Sequence, residues 1–444
     1  MDVSNYLDTE LVDYASYSVL RAIPSALDGL KNSTRKVIYS TLKNLKRETK
    51  VSTFAGITAV DTQYLHGDIS GSIVTLARDY CGSNNLPLLT PNGNFGTRMI
   101  PENSAVRYIF VEKPEYLENI FKDEDSKILF SQEFEGEKIE PKFYTPTIPL
   151  LLINGSVGIG TGFSCKILPR SLKSVLKYLK EMLKSGKSEE TLLNPDVSGF
   201  CGNIVTEPEN PLKHTIYGDY GIENTRGRKV TISEIPLGYT LQSYKDFLTK
   251  LEESKIIKSF SDESEFDNFK FVLSVETDFF KKHKDIYETL GLKKSYSENF
   301  TCLDEFNKLM EFKSPKDFME YFIETKLRYI SKRKDFQLDS MRNELANLNE
   351  ESLFISLILN TRISFNELDS KKIKEICETY EIENYKKYLK LPFTAFTKDG
   401  IESLKNKIEI LEKSIKDLES QSPKKIWLND ISNLESSLKK QKLI

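Results

Sequence analysis

The 444-residue chain is poor in the residues that build metal and redox centres. Its three histidines, His66, His214 and His283, lie far apart, so HExxH-type metal chemistry is excluded. Its five cysteines are scattered and never form a CxxC pair, which argues against a zinc ribbon and a disulfide framework and suits a reducing compartment. There is no GxxxxGK[ST] loop for nucleotide phosphates. With 21 Gly and 16 Pro the chain is not collagen-like or a low-complexity polymer. The start, Met1-Asp2-Val3-Ser4-Asn5, lacks the apolar core of a secretory signal. The longest apolar run, Ile148 to Phe163, contains Pro149, Asn154 and Ser156 and reads as buried strand and turn, not as a membrane span.

What is present is ordinary globular material: 39% hydrophobic and 29% charged residues, with 26 Phe and 21 Tyr. That aromatic content excludes disorder as the dominant state. The net charge of −3 does not announce a nucleic-acid binder. Between Leu20 and Lys50, however, eight Lys/Arg face only Asp28 and Glu48, a local excess of +6 suited to phosphates or to a solvated helix face.

Helical spacing of Val37, Ile38, Thr41, Leu42 and Leu45 predicts a helix opened by Asn32-Ser33-Thr34. A second short helix fits Val51 to Asp61. A third, capped by Asp68, places Ile69, Ile73, Leu76, Ala77 and Tyr80 on one face and Ser70, Ser72, Thr75 and Arg78 on the other. That second face suits a recognition helix whose N-terminus meets phosphate. A turn at Pro91-Asn92-Gly93-Asn94 and a strand at Arg107–Val111 follow, completing a winged-helix pattern. Strand-like and helical runs alternate from about 148 to 313. Beyond Ser314 nearly everything reads as helix. Leu338, Met341, Leu345 and Leu348, and then Ile401, Leu404, Ile408, Leu411, Ile415 and Leu418, form two heptad seams. Two such seams predict an antiparallel coiled-coil arm with a small tip at about 352–396; an ordinary helical bundle has the same periodicity.

Four motifs then make the reading specific. Arg21-Ala22-Ile23-Pro24 continues through Asp28-Gly29-Leu30-Lys31 to Arg35-Lys36. His66-Gly67-Asp68 follows. Next comes Asn92-Gly93-Asn94-Phe95-Gly96-Thr97-Arg98, leading to Arg107-Tyr108. Last is Ile148-Pro149 through Asn154-Gly155 to Gly158-Ile159-Gly160-Thr161-Gly162. In this order and spacing they resemble the breakage-and-reunion part of type IIA DNA topoisomerases. The departures are Asn32 for the usual proline, Lys36 for the second arginine, and a single histidine in the His-Gly-Asp motif.

The resemblance implies a multidomain α+β fold. Its parts would be an N-terminal arm (1–22), a winged-helix DNA gate (23–147), a mixed tower domain (148–313) and the coiled-coil arm with its exit-gate tip (314–444). It implies Tyr108 as the nucleophile that forms a 5′-phosphotyrosine, with Arg107 and His66 as catalytic partners. A phenol ionises near pH 10, so only about 0.1% is anionic at pH 7 and activation is needed. Arg21, Lys31, Arg35, Lys36, Arg98, Asn154, Ser70 and Ser72 are the expected DNA contacts. Ile159 is the expected intercalating wedge, its flanking glycines allowing close approach to DNA.

No acidic metal-binding (TOPRIM) segment or ATPase segment is recognisable, so this chain supplies no metal site. Magnesium and ATP are expected on a partner TOPRIM/ATPase subunit, giving a heterotetramer around a homodimer of this chain, as in the T-even phage enzymes. The expected activity is relaxation and decatenation of double-stranded DNA, in bacterial or phage-infected cytoplasm and away from membranes. The competing readings are a non-enzymatic winged-helix/coiled-coil DNA scaffold and a gyrase-like supercoiling subunit.

Overall fold

The computed structural model describes residues 3–222, 229–266, 268–360, 370–380, 382 and 385–444. The chain is a mixed α+β protein that separates into two compact units. One comprises Met1–Leu327 with Trp427–Ile444, the other Arg328–Ile426. The boundaries thus fall inside long helices, not at residue 314.

The larger unit begins with helix α1 (Glu10–Ala22). Helices α2 (Asn32–Asn44), α3 (Val51–Thr62) and α4 (Ser70–Ala77) follow and pack together. Their apolar faces (Val37 and Ile38, Phe54 and Ala55, Ile73 and Leu76) are buried, as 3.6-residue periodicity requires. The entry to α2 is closed by Thr34, whose Oγ1 accepts the Lys31 N–H at 2.9 Å. Helix α4 stops at Ala77, one turn earlier than its apolar spacing suggests. Arg78 turns into extended backbone there, and its guanidinium bonds the carbonyls of Phe95 and Pro101.

A small antiparallel sheet leans on the trio. Strand β3 (Phe110–Glu112) lies between β1 (Thr49–Lys50) and β2 (Thr90–Asn92). The strand predicted at Arg107 begins only at Phe110. A short hairpin, β4 (Gln132–Phe134) with β5 (Glu137–Ile139), precedes a second one. This is β6 (Ser156–Gly160) with β7 (Phe163–Ile167), paired Gly158↔Cys165 and Ile159↔Ser164.

Helix α5 (Leu172–Ser185) then leads into two sheets. One has the order β14 (Lys293–Ser297), β9 (Asn210–Tyr217), β8 (Asn203–Glu207). The other has the order β10 (Asp219–Ile222), β11 (Lys229–Glu234), β13 (Phe271–Ser274), β12 (Ser259–Asp262). Helix α6 (Leu241–Glu253) covers the second sheet around Tyr244, Leu248, Phe271 and Leu273. The hairpin β15 (Phe300–Leu303) with β16 (Leu309–Phe312) returns to the N-terminal region, where the Ala26 N–H donates to the Leu303 carbonyl at 2.8 Å.

In the smaller unit, α7 (Pro315–Asn360) and α9 (Lys398–Glu419) carry the two predicted seams, with α8 (Ser370–Thr379) between them. Leu338, Leu404 and Ile415 are buried on those seams. Lys334 Nζ donates to the carbonyl of Glu419 and Arg342 pairs with its carboxylate at 2.7 Å, joining the two helices at the end of α9. Of the predicted tip, residues 361–369, 381, 383 and 384 lie outside the described residues. Helix α10 (Pro423–Lys440) carries the chain back into the larger unit. There Trp427 is fully buried and donates its indole N–H to the Thr147 carbonyl at 2.9 Å. Among the described residues no helix is long and apolar enough to cross a membrane.

Candidate active site

Tyr108 sits in a turn, not in a regular strand. Its N–H donates to the Ala105 carbonyl at 2.9 Å. The turn is anchored to the start of α3, because Val51 N–H bonds the Ile109 carbonyl and Ser52 N–H bonds the Val106 carbonyl. In a regular strand adjacent side chains point to opposite faces. Here the Arg107 guanidinium carbon lies 5.3 Å from the centre of the Tyr108 ring. Tyr108 is 68% exposed, and its hydroxyl makes no hydrogen bond among the described residues. An exposed phenol beside a permanent cation can attack a phosphate and have the developing charge stabilised by a forked donor.

A second polar group forms where α1 meets the loop before α4. His66 is exposed, and its Nε2 is hydrogen-bonded to the hydroxyl of Tyr17. Arg21 donates to the same hydroxyl at 3.1 Å and lies 5.4 Å from the Tyr17 ring centre. No hydrogen bond or ring contact among the described residues joins this group to Tyr108.

Ile159 is 80% exposed on β6. Its neighbouring glycines face inward and not toward solvent. A Cβ on Gly158 would lie 2.0 Å from the Ala22 carbonyl oxygen, and one on Gly160 would lie 3.1 Å from Val19 Cα. The glycines therefore let the strand lie directly on α1. Lys31 reinforces this seam by donating to the Val157 carbonyl at 2.7 Å. Burial pushes the Lys31 ammonium below its ordinary pKa, with Cys165 opposing.

Several expected DNA contacts are instead committed to the interior. Arg35 is buried and forks onto Asp28 at 2.7 and 3.1 Å. Burial works against its charge, and the Asp28 carboxylate overrides that to hold its pKa above the ordinary value. Lys36 pairs with the buried Glu140 at 2.7 Å and donates to the Thr62 carbonyl. Arg98 pairs with Glu234 at 2.7 Å and donates to the Ile235 carbonyl, under the rings of Phe200 and Phe269. The Asn154 amide bridges the backbone N–H and carbonyl of Leu86. Ser70 is buried and bonded to Asp68 Oδ1, and Ser72 is half-buried on the same turn. Arg35, Lys36, Arg98, Asn154 and Ser70 are thus held by partners within the protein.

Two lysines that no motif singles out, Lys166 and Lys294, are exposed. A cavity of about 710 Å³ between α4 and β14 is lined by Lys31, Arg78, Arg98, Lys166 and Lys294, with no acidic residue in its wall. Lys166 Nζ lies 3.8 Å over the Tyr296 ring, and Lys294 Nζ lies 5.3 Å from the centre of the Tyr239 ring. Neither lysine has a carboxylate partner among the described residues, so the wall carries uncompensated positive charge. Lys166 and Lys294 lie 128 residues apart, a juxtaposition that only the fold creates. Tyr17 had a visible signal, its position one helical turn before Arg21.

Among the described residues no three His, Cys, Asp or Glu side chains gather where they could hold a metal ion.

The family model that matches this chain is that of the DNA gyrase/topoisomerase IV A-subunit, and it spans residues 21–433. The chain is 31% identical over 98% of its length to the mitochondrial DNA topoisomerase 2 of Dictyostelium discoideum, covering 35% of that protein. It is 30% identical over 98% of its length to DNA topoisomerase 2 of Invertebrate iridescent virus 6, covering 39% of it. The chain thus spans about a third of the length of the curated relatives it matches. In structure it is similar to the Plasmodium falciparum topoisomerase II DNA-binding, cleavage and re-ligation domain, with a TM-score of 0.85, 26% identity, and coverage of 99% of this chain and 64% of that one. On these grounds the chain belongs to the DNA gyrase/topoisomerase IV A-subunit family.

Proposed function

We propose that Tyr108 is the nucleophile of a reversible DNA transesterification. The Tyr108 oxygen bonds to a backbone phosphorus, the bond from that phosphorus to the 3′ oxygen breaks, and the phenol proton ends on the released 3′-hydroxyl. Religation is the reverse, and because the phosphodiester energy is kept in the tyrosyl ester it needs no nucleotide. The observation that carries this reading is the exposed, unbonded Tyr108 hydroxyl beside Arg107 on an anchored turn.

The α2–α4 trio with its small sheet acts as a winged-helix gate, and two copies of the chain cut opposite strands about a C2 axis. Lys166 and Lys294 at the 710 Å³ cavity take phosphates of the flanking duplex. Ile159, exposed on a hairpin braced against α1, wedges a base step. The metal and ATP chemistry come from residues outside these 444, on a partner subunit in the arrangement we favour. With them the assembly relaxes and decatenates DNA.

A covalent-trapping assay tests this. The chain, the metal- and ATP-binding portion, magnesium and end-labelled duplex are mixed and stopped with detergent, and the linked peptide is mapped. The expected result is a 5′ adduct on Tyr108 that Tyr108→Phe abolishes while DNA binding persists. If Tyr108→Phe retains the adduct, or does all the work of the unaltered chain, the nucleophile is misassigned or the chain is a DNA scaffold.

A further inference from the structure

The hydrogen-bond inventory around His66 assigns a role to a residue outside every motif. Arg21 has only donors, so at 3.1 Å it must donate to the Tyr17 oxygen. That uses one lone pair of the phenol and leaves a second lone pair and the proton, so toward His66 the hydroxyl can accept or donate according to the ring tautomer. The acceptor in reach is His66 Nε2. Where the hydroxyl donates, that ring nitrogen carries no proton, and a neutral imidazole then holds its proton on Nδ1. His66 Nδ1 makes no hydrogen bond among the described residues, and the side chain is exposed.

We propose that Tyr17 is a positioning residue for the cleavage reaction, holding His66 as its Nδ1–H tautomer so that it donates to a DNA phosphate oxygen and does not act as the base toward Tyr108. This rests on the cleavage reading given above. The platform is rigid enough for the purpose. Tyr17 and Arg21 stand one turn apart on α1, on the same face. That helix is pinned by β6 through the close approaches at Gly158 and Gly160, and by the Thr161 N–H donating to Ser18 Oγ at 3.2 Å. The His66 ring lies 5.6 Å from the Tyr17 ring and 6.3 Å from that of Tyr64. A donor held in one tautomer and one orientation is worth more to a developing phosphate charge than a mobile one.

Two measurements test it. The chain has three histidines, so imidazole ¹⁵N NMR of the histidine-labelled protein reads each ring separately. An unconstrained histidine side chain favours the Nε2–H form, so an Nδ1–H His66 that shifts toward Nε2–H in Tyr17→Phe is the expected and non-trivial result. That substitution keeps the ring under Arg21 and removes only the hydroxyl. The second measurement is the rate of Tyr108 adduct formation by the assembly with magnesium, in Tyr17→Phe, His66→Ala and the double variant. Tyr17→Phe should slow cleavage about tenfold, the size of one hydrogen bond to an oriented group, with DNA affinity unchanged. In the His66→Ala background it should cost nothing further. An Nε2–H His66 in the unaltered chain, a Tyr17→Phe rate equal to the unaltered one, or additive losses would overturn the role of Tyr17 alone. Absence of any adduct from the unaltered assembly would overturn the cleavage reading and this role with it.

Discussion

Gly158→Ala is the sharpest test of how the site is braced. A Cβ there would lie 2.0 Å from the Ala22 carbonyl oxygen and 3.0 Å from its carbonyl carbon. An ordinary C···O contact is about 3.3 Å or longer, so β6 would have to retreat from α1 by roughly 1.3 Å. Both neighbours are backbone, so no side-chain rotation relieves the clash. Overpacking of this kind costs about 1–3 kcal/mol. For a unit this large, about 2 kcal/mol lowers the melting temperature by roughly 3 °C. The functional effect should be larger, because the displaced strand carries Ile159, and a 1 Å misplacement can cost about 100-fold in rate. Thermal melting and the rate of Tyr108 adduct formation are the assays. Gly56→Ala is the control: it sits in α3, exposed, with no atom within 4 Å of the added Cβ. It should stabilise the protein by about 0.5–1 kcal/mol. Gly158→Ala melting and cleaving like the unaltered chain would refute the close-approach reasoning.

Arg98→Gln should destabilise by about 3 kcal/mol, because Glu234 is left buried without its cation; the salt dependence of DNA binding should stay unchanged, and a flatter slope would show that Arg98 reaches phosphate. Lys166→Ala and Lys294→Ala should each lower the slope of log K against log salt by about 0.9, and unchanged slopes would remove the 710 Å³ cavity from the DNA path. Glu298 is fully buried between Arg170 and His214. Burial alone would raise its pKa, but the Arg170 charge and hydrogen bonds from His214, Arg170 and the Leu168 N–H together hold it below the ordinary value. A depressed carboxyl stabilises the fold above its unfolded pKa and loses that contribution as pH falls through its folded pKa. Glu298→Gln should therefore melt well below the unaltered chain at pH 7, with the gap narrowing below about pH 4.5; a gap constant with pH would refute the assignment.

What the sequence discloses and what it hides divide along contact distance. The coiled-coil seams were legible because a heptad repeat is written within a few residues of itself, and Leu338, Leu404 and Ile415 are buried where the spacing places them. The helix around Val37 and Ile38 was legible for the same reason. The turn at Tyr108 was not, because it depends on Val51 and Ser52, more than fifty residues earlier, accepting the role of anchor. Charge was the least legible property. A count of lysines and arginines says how many cations a segment holds, not which way they point. Arg35 turns inward because Asp28 waits seven residues before it, and Arg98 because Glu234 lies 136 residues after it. Burial of a cation demands such a partner. The motif residues nearest the chemistry are consequently of two kinds. Arg21, Arg107 and Ile159 are exposed, whereas Arg35, Arg98 and Asn154 hold the surface on which the exposed ones stand. The same logic explains the glycines of β6. A glycine between exposed apolar residues signals that some backbone passes close by, and only the fold shows that the backbone is α1. Substitutions of the inward set should thus be read first in melting temperature and only then in cleavage, and those of the outward set in the opposite order.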